Sequence, residues 1–254
     1  MIHTNQQEME FLFEMTRNAS VVSGNIDYRR KAKNTNIELA LSGTVNAYAQ
    51  SFDDGNRHKI VMYEGICSAG HLCAFALPDK NPYQLVEVCK YIGKIIERTG
   101  QFTPQDVAQG IDDLSLKTDE SHLREVDSYS AGFILSIIGH ELGHICLSHT
   151  LGGRESEGVS RDMERQADSF ACSIARSTPF SSYLVPGLLF SEIVLAWATQ
   201  SYSDEPATTH PHSPERVMNI FNSHEDTLAD YGITRNNLSD FLPPTHKINW
   251  LKES

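Results

Sequence analysis

The sequence lacks a hydrophobic run long enough to cross a membrane. The longest apolar run in its C-terminal half, residues 183–198, is interrupted by Pro186 and Glu192, whereas a spanning helix needs about 20 consecutive apolar residues. This run therefore predicts a buried helix. Residues 1–17 contain three glutamates and no apolar segment of the kind that a signal peptide needs. We expect a cytoplasmic protein without a membrane span.

Positive charge is also scarce. Lys and Arg number 21 against 33 Asp and Glu, which gives a formal net charge of −12. Such acidity speaks against binding to nucleic acid or to anionic membrane surfaces. The basic cluster at residues 29–33 predicts a solvated loop, with a docking patch for an acidic partner as the alternative. The acidic stretch 112–127 predicts a linker or an exposed helix edge.

Cysteines are few and carry no metal-binding or disulfide pattern. The five cysteines are odd in number, widely spread and without a C-x-x-C pair. This usage favours reduced thiols in the core over a disulfide framework. The chain also lacks repeats and low-complexity segments. Its 254 residues, 40% of them hydrophobic, are enough for one substantial core.

Residues 140–144 form an H-E-x-x-H motif. On a helix, His140 and His144 lie about 40° apart on one face, so both imidazoles can reach one metal ion. Glu141 projects about 100° round from His140, where it can touch a metal-bound water without being a ligand. The apolar stretch 129–139 predicts the buried first half of this helix, with Ser128 as N-cap and Gly152-Gly153 at its end. The alternative is an ordinary charged helix.

A catalytic zinc site needs a third protein ligand. The metzincin pattern would require Gly and His where the chain has Leu147 and Thr150. His149 follows His140 by nine residues, about 180° round the helix, so we expect it to face away from the metal. It is then either a surface histidine or one that contacts a metal ligand from behind, at the end of the helix. Glu164 is the better candidate, on a helix that Ser160 could cap. The alternative for Glu164 is a solvated carboxylate.

Asp168 strengthens the assignment of Glu164, because the two residues lie one turn apart on the same helical face. A carboxylate at that position can accept the free ring N–H of a zinc-bound histidine and so fix its tautomer and orientation. The pair therefore predicts both a metal ligand and the group that holds another ligand in place.

Three patches of the sequence resemble the gluzincin peptidases, more narrowly the HtpX and CAAX-prenyl-protease type. They are H-E-L-G-H with a later histidine at residues 140–150, E-x-x-A-D at 164–168 and H-P-x-x-x-E-R-V at 210–217. The resemblance covers about residues 129–220, and the first 120 residues show no such likeness. The HtpX-type enzymes also carry a long insertion with membrane spans between the first two motifs, where this chain has 19 residues.

The resemblance implies one Zn²⁺ per chain, held by His140, His144 and Glu164, with Glu141 as general base. It implies that His210 contacts the transition state or gates the site. It also implies that Arg216 is a carboxylate partner that ties the last helix to the site. The alternative for His210 is a helix-entry histidine before a proline.

The predicted fold is α+β and mainly helical, a zincin-like catalytic core with a small sheet and an N-terminal α/β lobe. Residues 1–120 would form the lobe and 121–254 the core, with one continuous domain as the alternative. Further helices are predicted at 5–17, 82–98, 104–114 and 214–223, and strands at 59–63 and 72–77 joined as a hairpin. Residues 34–50 are ambiguous, and the tail from residue 236 is predicted to be irregular.

The predicted function is a soluble zinc endopeptidase that hydrolyses peptide or protein substrates. Glu141 would take a proton from the metal-bound water and deliver it to the leaving amine, and His210 would stabilise the oxyanion. The alternative is a regulatory or interaction protein that retains the zincin fold, or a single-target protease of the phage-exclusion or stress-response type. The sequence indicates neither the substrate nor the oligomeric state.

Overall fold

A computed structural model describes residues 5–21, 25–52, 56–151, 157–176, 181–200 and 214–243. Within these ranges the fold is mainly helical with one small sheet, which confirms the predicted α+β class. The helices are α1 (Gln6–Val21), α2 (Ile26–Lys33), α3 (Glu64–Ala76), α4 (Pro82–Thr99), α5 (Pro104–Asp113), α6 (Glu120–Cys146), α7 (Glu157–Arg176), α8 (Ser181–Gln200), α9 (Pro214–Ser223) and α10 (Glu225–Ala229). The strands are β1 (Thr35–Ala40), β2 (Ala47–Ser51) and β3 (His58–Tyr63), and short 3₁₀ helices cover His149–Leu151 and Leu238–Phe241.

The sheet has β3 at its centre. β1 pairs with β3 in parallel, with Thr35 opposite His58, and β2 pairs with β3 in antiparallel fashion, with Ala47 opposite Met62. The strand predicted at 59–63 is therefore confirmed, and both β1 and β2 come from the ambiguous stretch 34–50. In this arrangement β2 is an edge strand, and it packs directly on α6.

The strand predicted at 72–77 is wrong, because these residues belong to α3 and the turn after it. Nearly every residue of α3 is buried, so the helix shows no polar face from which a helical period could be recognised. The glycines that suggested a turn serve close packing instead. A Cβ at Gly70 would lie 2.1 Å from the ring of Phe133 on α6, so only glycine lets the two helices approach this closely.

α6 runs through the centre of the molecule and packs against α3, α7 and α8. It begins earlier than predicted: the Asp119 side chain caps it by accepting a hydrogen bond from the backbone N–H of His122. The predicted N-cap, Ser128, lies inside the helix. The acidic residues 120–127 are thus the first two turns of α6 rather than a linker. The helix ends at Cys146, and the predicted terminating glycines at 152 and 153 lie outside the described residues.

The remaining predicted helices are present. Residues 5–17, 82–98, 104–114, 183–198 and 214–223 correspond to α1, α4, α5, α8 and α9. Thr103 and Asp106 form a capping box at the start of α5, and Gly100 ends α4 at a φ of 71°. The predicted cap Ser160 is wrong, because α7 begins three residues before it.

One hydrophobic core contains residues from both predicted parts of the chain, from Met9 to Leu242. The division at residue 120 stays a prediction. All five cysteines are free thiols, and four of them are buried. In the part of the chain that the structure describes, no helix is both long and apolar enough to cross a membrane.

Candidate metal centre

Two adjacent helices bring His140, His144 and Glu164 together. The histidines are one turn apart on α6, and Glu164 faces them from α7. α6 and α7 approach closely because a glycine lies at the crossing: a Cβ at Gly143 would stand 3.1 Å from the Cα of Ala167. The small residues inside the two motifs therefore have a packing role, and the close approach places the Glu164 carboxylate beside both imidazoles.

The three side chains are spaced as ligands of one small ion would be. The Nε2 atoms of His140 and His144 are 3.0 Å apart, and the Glu164 oxygens lie 3.2 Å from His140 Nε2 and 3.4 Å from His144 Nε2. Two ligands 2.0–2.1 Å from a tetrahedral zinc ion would stand about 3.3 Å apart. All three side chains are buried. This group could hold a metal ion.

The charge around the cluster also suits a divalent cation. Four carboxylates, those of Glu141, Glu164, Asp168 and Glu192, are buried here, and Arg216 supplies the opposing charge among the described residues. With the four carboxylates and Arg216 ionised and both histidines neutral, as metal ligation requires, the formal sum is three negative charges. Buried charge is costly unless it is balanced. A divalent cation would remove two thirds of this excess, which is an argument independent of the ligand spacing.

Asp168 holds His140 in the orientation that a metal ligand needs. His140 Nδ1 lies 2.8 Å from Asp168 Oδ1, so Nδ1–H donates and Nε2 faces the cluster, where it would present its lone pair to a metal ion. Burial alone would lower the pKa of His140, but its contacts with Asp168 and Glu164 raise it well above its usual range. Burial alone would raise the pKa of Asp168, but Arg216 and His140 hold it well below its usual range.

Arg216, on α9, joins three carboxylates from two other helices, α7 and α8. Its Nη1 lies 3.1 Å from Glu164 Oε2, and its Nη2 lies 2.8 Å from Asp168 Oδ1 and 2.9 Å from Glu192 Oε1. Burial would lower the pKa of Arg216, but Asp168, Glu192 and Glu164 raise it above its usual range. Arg216 therefore contacts one candidate metal ligand, Glu164, and two further buried carboxylates. Glu192 is a member that the sequence analysis did not assign, although a lone carboxylate in the apolar run 183–198 was a signal for it.

Glu141 borders a small buried cavity next to the cluster. The cavity measures about 20 Å³, which is room for one water molecule. His140 and Glu141 line it from α6, Ser191 and Glu192 from α8, and Ala47 from β2. Glu141 thus shares with His140 the lining of a space of the size of one water molecule.

His149 lies behind His144, one of the two positions expected for it at the end of the helix, but it does not reach that position through the predicted helical angle. His149 Nδ1 lies 3.1 Å from His144 Nδ1, and His149 Nε2 lies 3.3 Å from Gln166 Oε1 on α7. The helical extrapolation fails because α6 stops at Cys146 and the chain turns at Ser148, whose φ is 66°. Burial lowers the pKa of His144. It also lowers the pKa of His149, which is less buried.

The basic cluster at residues 29–33 is not a solvated loop. It lies in α2, and the ammonium of its buried member Lys31 donates to Cys146 O at 2.9 Å and to Ser148 Oγ at 2.6 Å. Lys31 therefore caps the C-terminal end of α6, where a positive charge is favoured by the helix dipole. His210, the predicted oxyanion donor, lies outside the described residues.

Comparisons with models of known protein families, with curated proteins and with solved structures found no match.

Proposed function

We propose that this protein is a zinc-dependent endopeptidase of the gluzincin type. The observation that carries the proposal is the buried cluster of His140, His144 and Glu164, with its three donor groups at the separations of tetrahedral zinc ligands. Two imidazoles and one carboxylate are a donor set that zinc favours and that leaves a position for water. The sequence likeness at residues 140–150, 164–168 and 210–217 supports the same assignment.

A zinc ion supplies a bound water of pKa near 7 and a Lewis acid that polarises a carbonyl. The protein's own residues orient the ligand, transfer the proton and stabilise the developing negative charge. Asp168 keeps the proton of His140 on Nδ1, which leaves Nε2 available to the metal. The Glu141 carboxylate accepts a proton from a water and returns it to the leaving amine nitrogen. His210 donates a hydrogen bond to the oxygen that becomes negative.

The position of β2 supports a peptide as substrate. Within the described residues β2 has a single strand neighbour, β3, and it packs on α6. Ala47, the first residue of β2, lines the same small cavity as His140 and Glu141. An edge strand offers backbone N–H and C=O groups to which an extended peptide can pair. A peptide bound in this way would run alongside the helix that carries the general base.

The proposal is tested by incubating zinc-loaded protein with a peptide library and following cleavage by mass spectrometry. We expect cleavage by the wild type, loss of cleavage after chelation and recovery when zinc is restored. Glu141→Gln keeps the side-chain shape but cannot accept a proton, so it should bind zinc and cleave nothing. Zinc binding without any cleavage by the wild type would favour a regulatory protein that retains the fold. Full cleavage by Glu141→Gln would overturn the assigned base.

A further inference from the structure

We propose that His149 and Gln166 are positioning residues that hold the second histidine ligand, as Asp168 holds the first. The inference rests on the metal site of the proposed function and adds to it a hydrogen-bonded chain from His144 through His149 to Gln166. His149 and Gln166 lie behind His144, whereas Asp168 and Arg216 lie behind His140. The chain would fix which nitrogen of His144 carries the proton.

The direction of each hydrogen bond follows from the ligand. Nε2 of His144 faces His140 and Glu164, so as a metal ligand it must present its lone pair there and carry its proton on Nδ1. That Nδ1–H can donate to His149 Nδ1, 3.1 Å away. His149 then carries its own proton on Nε2, which donates to Gln166 Oε1 at 3.3 Å. One assignment of protons satisfies both bonds, and it is the assignment that metal binding requires.

The hydrogen-bonded chain from His144 to Gln166 depends on the point at which α6 stops. Had the helix continued, His149 would stand about 140° round and about 7.5 Å along the axis from His144, out of reach of its ring. Instead Lys31 caps the end of α6 through Cys146 O and Ser148 Oγ, and Ser148 adopts a φ of 66°. A positive φ is uncommon for a residue other than glycine. The turn is therefore held by specific contacts, and its effect is to bring His149 back beneath His144.

The two histidine ligands are held in chemically different ways. His140 is held by a buried carboxylate that is itself bonded to Arg216. The hydrogen-bonded chain behind His144 is neutral instead, and it ends at the exposed Gln166. Hydrogen bonds to charged groups are about twice as strong as neutral ones. We therefore expect His149 to contribute less to metal affinity than Asp168. Gln166 follows Glu164 by two residues, so α7 supplies both a ligand and the end of this chain.

The test measures zinc affinity by competition with a chromophoric chelator, and the visible spectrum of the Co²⁺-substituted protein. Asn places an oxygen where His has Nδ1, whereas Leu places a methyl group there, so His149→Asn and His149→Leu are a matched pair. We expect His149→Leu to weaken zinc binding about 10-fold, the low end for such partners, and to alter the Co²⁺ absorption bands. His149→Asn should stay within a few-fold of wild type.

Gln166→Leu gives a second, independent measurement, because Gln166 is exposed and its loss should not affect folding. It should weaken zinc binding by a smaller factor in the same direction, while Gln109→Leu on α5, an equally exposed glutamine bonded to Asp113, should leave the affinity unchanged. Wild-type affinity and Co²⁺ spectra in both His149→Leu and Gln166→Leu would overturn the inference. Equal losses in His149→Asn and His149→Leu would also overturn it, since ring packing would then explain the effect. If the wild type binds no zinc, the proposed function itself fails.

Discussion

Arg216 donates to both carboxylate oxygens of Asp168, from Nε to Oδ2 at 3.0 Å and from Nη2 to Oδ1 at 2.8 Å. Such a two-point contact fixes the plane of the carboxylate, and Oδ1 of the same group lies 2.8 Å from His140 Nδ1. The orientation of a candidate metal ligand on α6 is thus set, through α7, by an arginine on α9. This relationship makes several variants informative.

Replacing Arg216 with Met should destabilise the metal-free protein strongly. Three buried carboxylates, those of Glu164, Asp168 and Glu192, would lose their shared cation, and breaking a buried pair from one side costs about 3–5 kcal/mol. Urea unfolding of the apoprotein measures this change. Arg124→Met removes an exposed ion pair with Glu120 and should cost at most about 0.5 kcal/mol. Equal stability of the two variants would contradict the role given to Arg216.

Asp168→Asn should weaken zinc binding without abolishing it. The amide is a poorer partner for His140 Nδ1–H than the carboxylate, and such partners contribute roughly 10–100-fold in metal affinity. Chelator competition gives the affinity. Asp162→Asn, at an exposed position on the same helix, is the control and should bind as the wild type does. The proposed hydrogen bond is wrong if Asp168→Asn keeps wild-type affinity.

Zinc should raise the free energy of unfolding. A ligand that binds only the folded state adds about 4.1 kcal/mol when its free concentration is 1,000 times its Kd, and relief of the excess of buried carboxylates would contribute to that affinity. Chelation should therefore lower the urea midpoint, and restoring zinc should recover it. His144→Ala lacks a ligand, and its midpoint should not respond to zinc. A zinc-induced shift of the same size in this variant would show that the ion acts elsewhere.

His210→Ala should lower kcat by about 10²–10³ if His210 donates to the oxyanion, with unchanged zinc content. Its neighbour His212 is the matched control, and His212→Ala should be nearly silent. Steady-state kinetics on any peptide that the wild type cleaves give the comparison. Parallel losses of activity and zinc in His210→Ala would point to ligation instead.

The core of the site was predictable because it depends on local spacing. His140, His144 and Glu141 share one helix, and Glu164 and Asp168 share another, so the 3.6-residue period alone arranges each group. The sequence gives no such rule for Glu192, whose position depends on how α8 packs against α6 and α9. Its burial next to Arg216 is a feature of the tertiary structure, which arises only when α6, α8 and α9 pack together.

The errors have equally physical causes. Residues 72–77 are helical although their pattern predicts a strand, because a helix that is buried on every side carries no amphipathic period. The helical angle predicted for His149 is wrong because it assumes that α6 continues, whereas Lys31, a residue 115 positions before Cys146, caps its end. Contacts between residues so far apart in the chain cannot be derived from local pattern. They decide where a helix stops and therefore where the next side chain points.

The most direct test is the zinc content of the purified protein, measured per chain after incubation with excess Zn²⁺ and removal of the unbound ion. We expect one zinc per wild-type chain and none in His144→Ala, provided that circular dichroism shows the variant to be folded. Glu141→Gln should retain one zinc, because its carboxylate is not a ligand. A wild-type protein without zinc, or a folded His144→Ala that retains it at full occupancy, would contradict the assignment of His140, His144 and Glu164 as the metal centre.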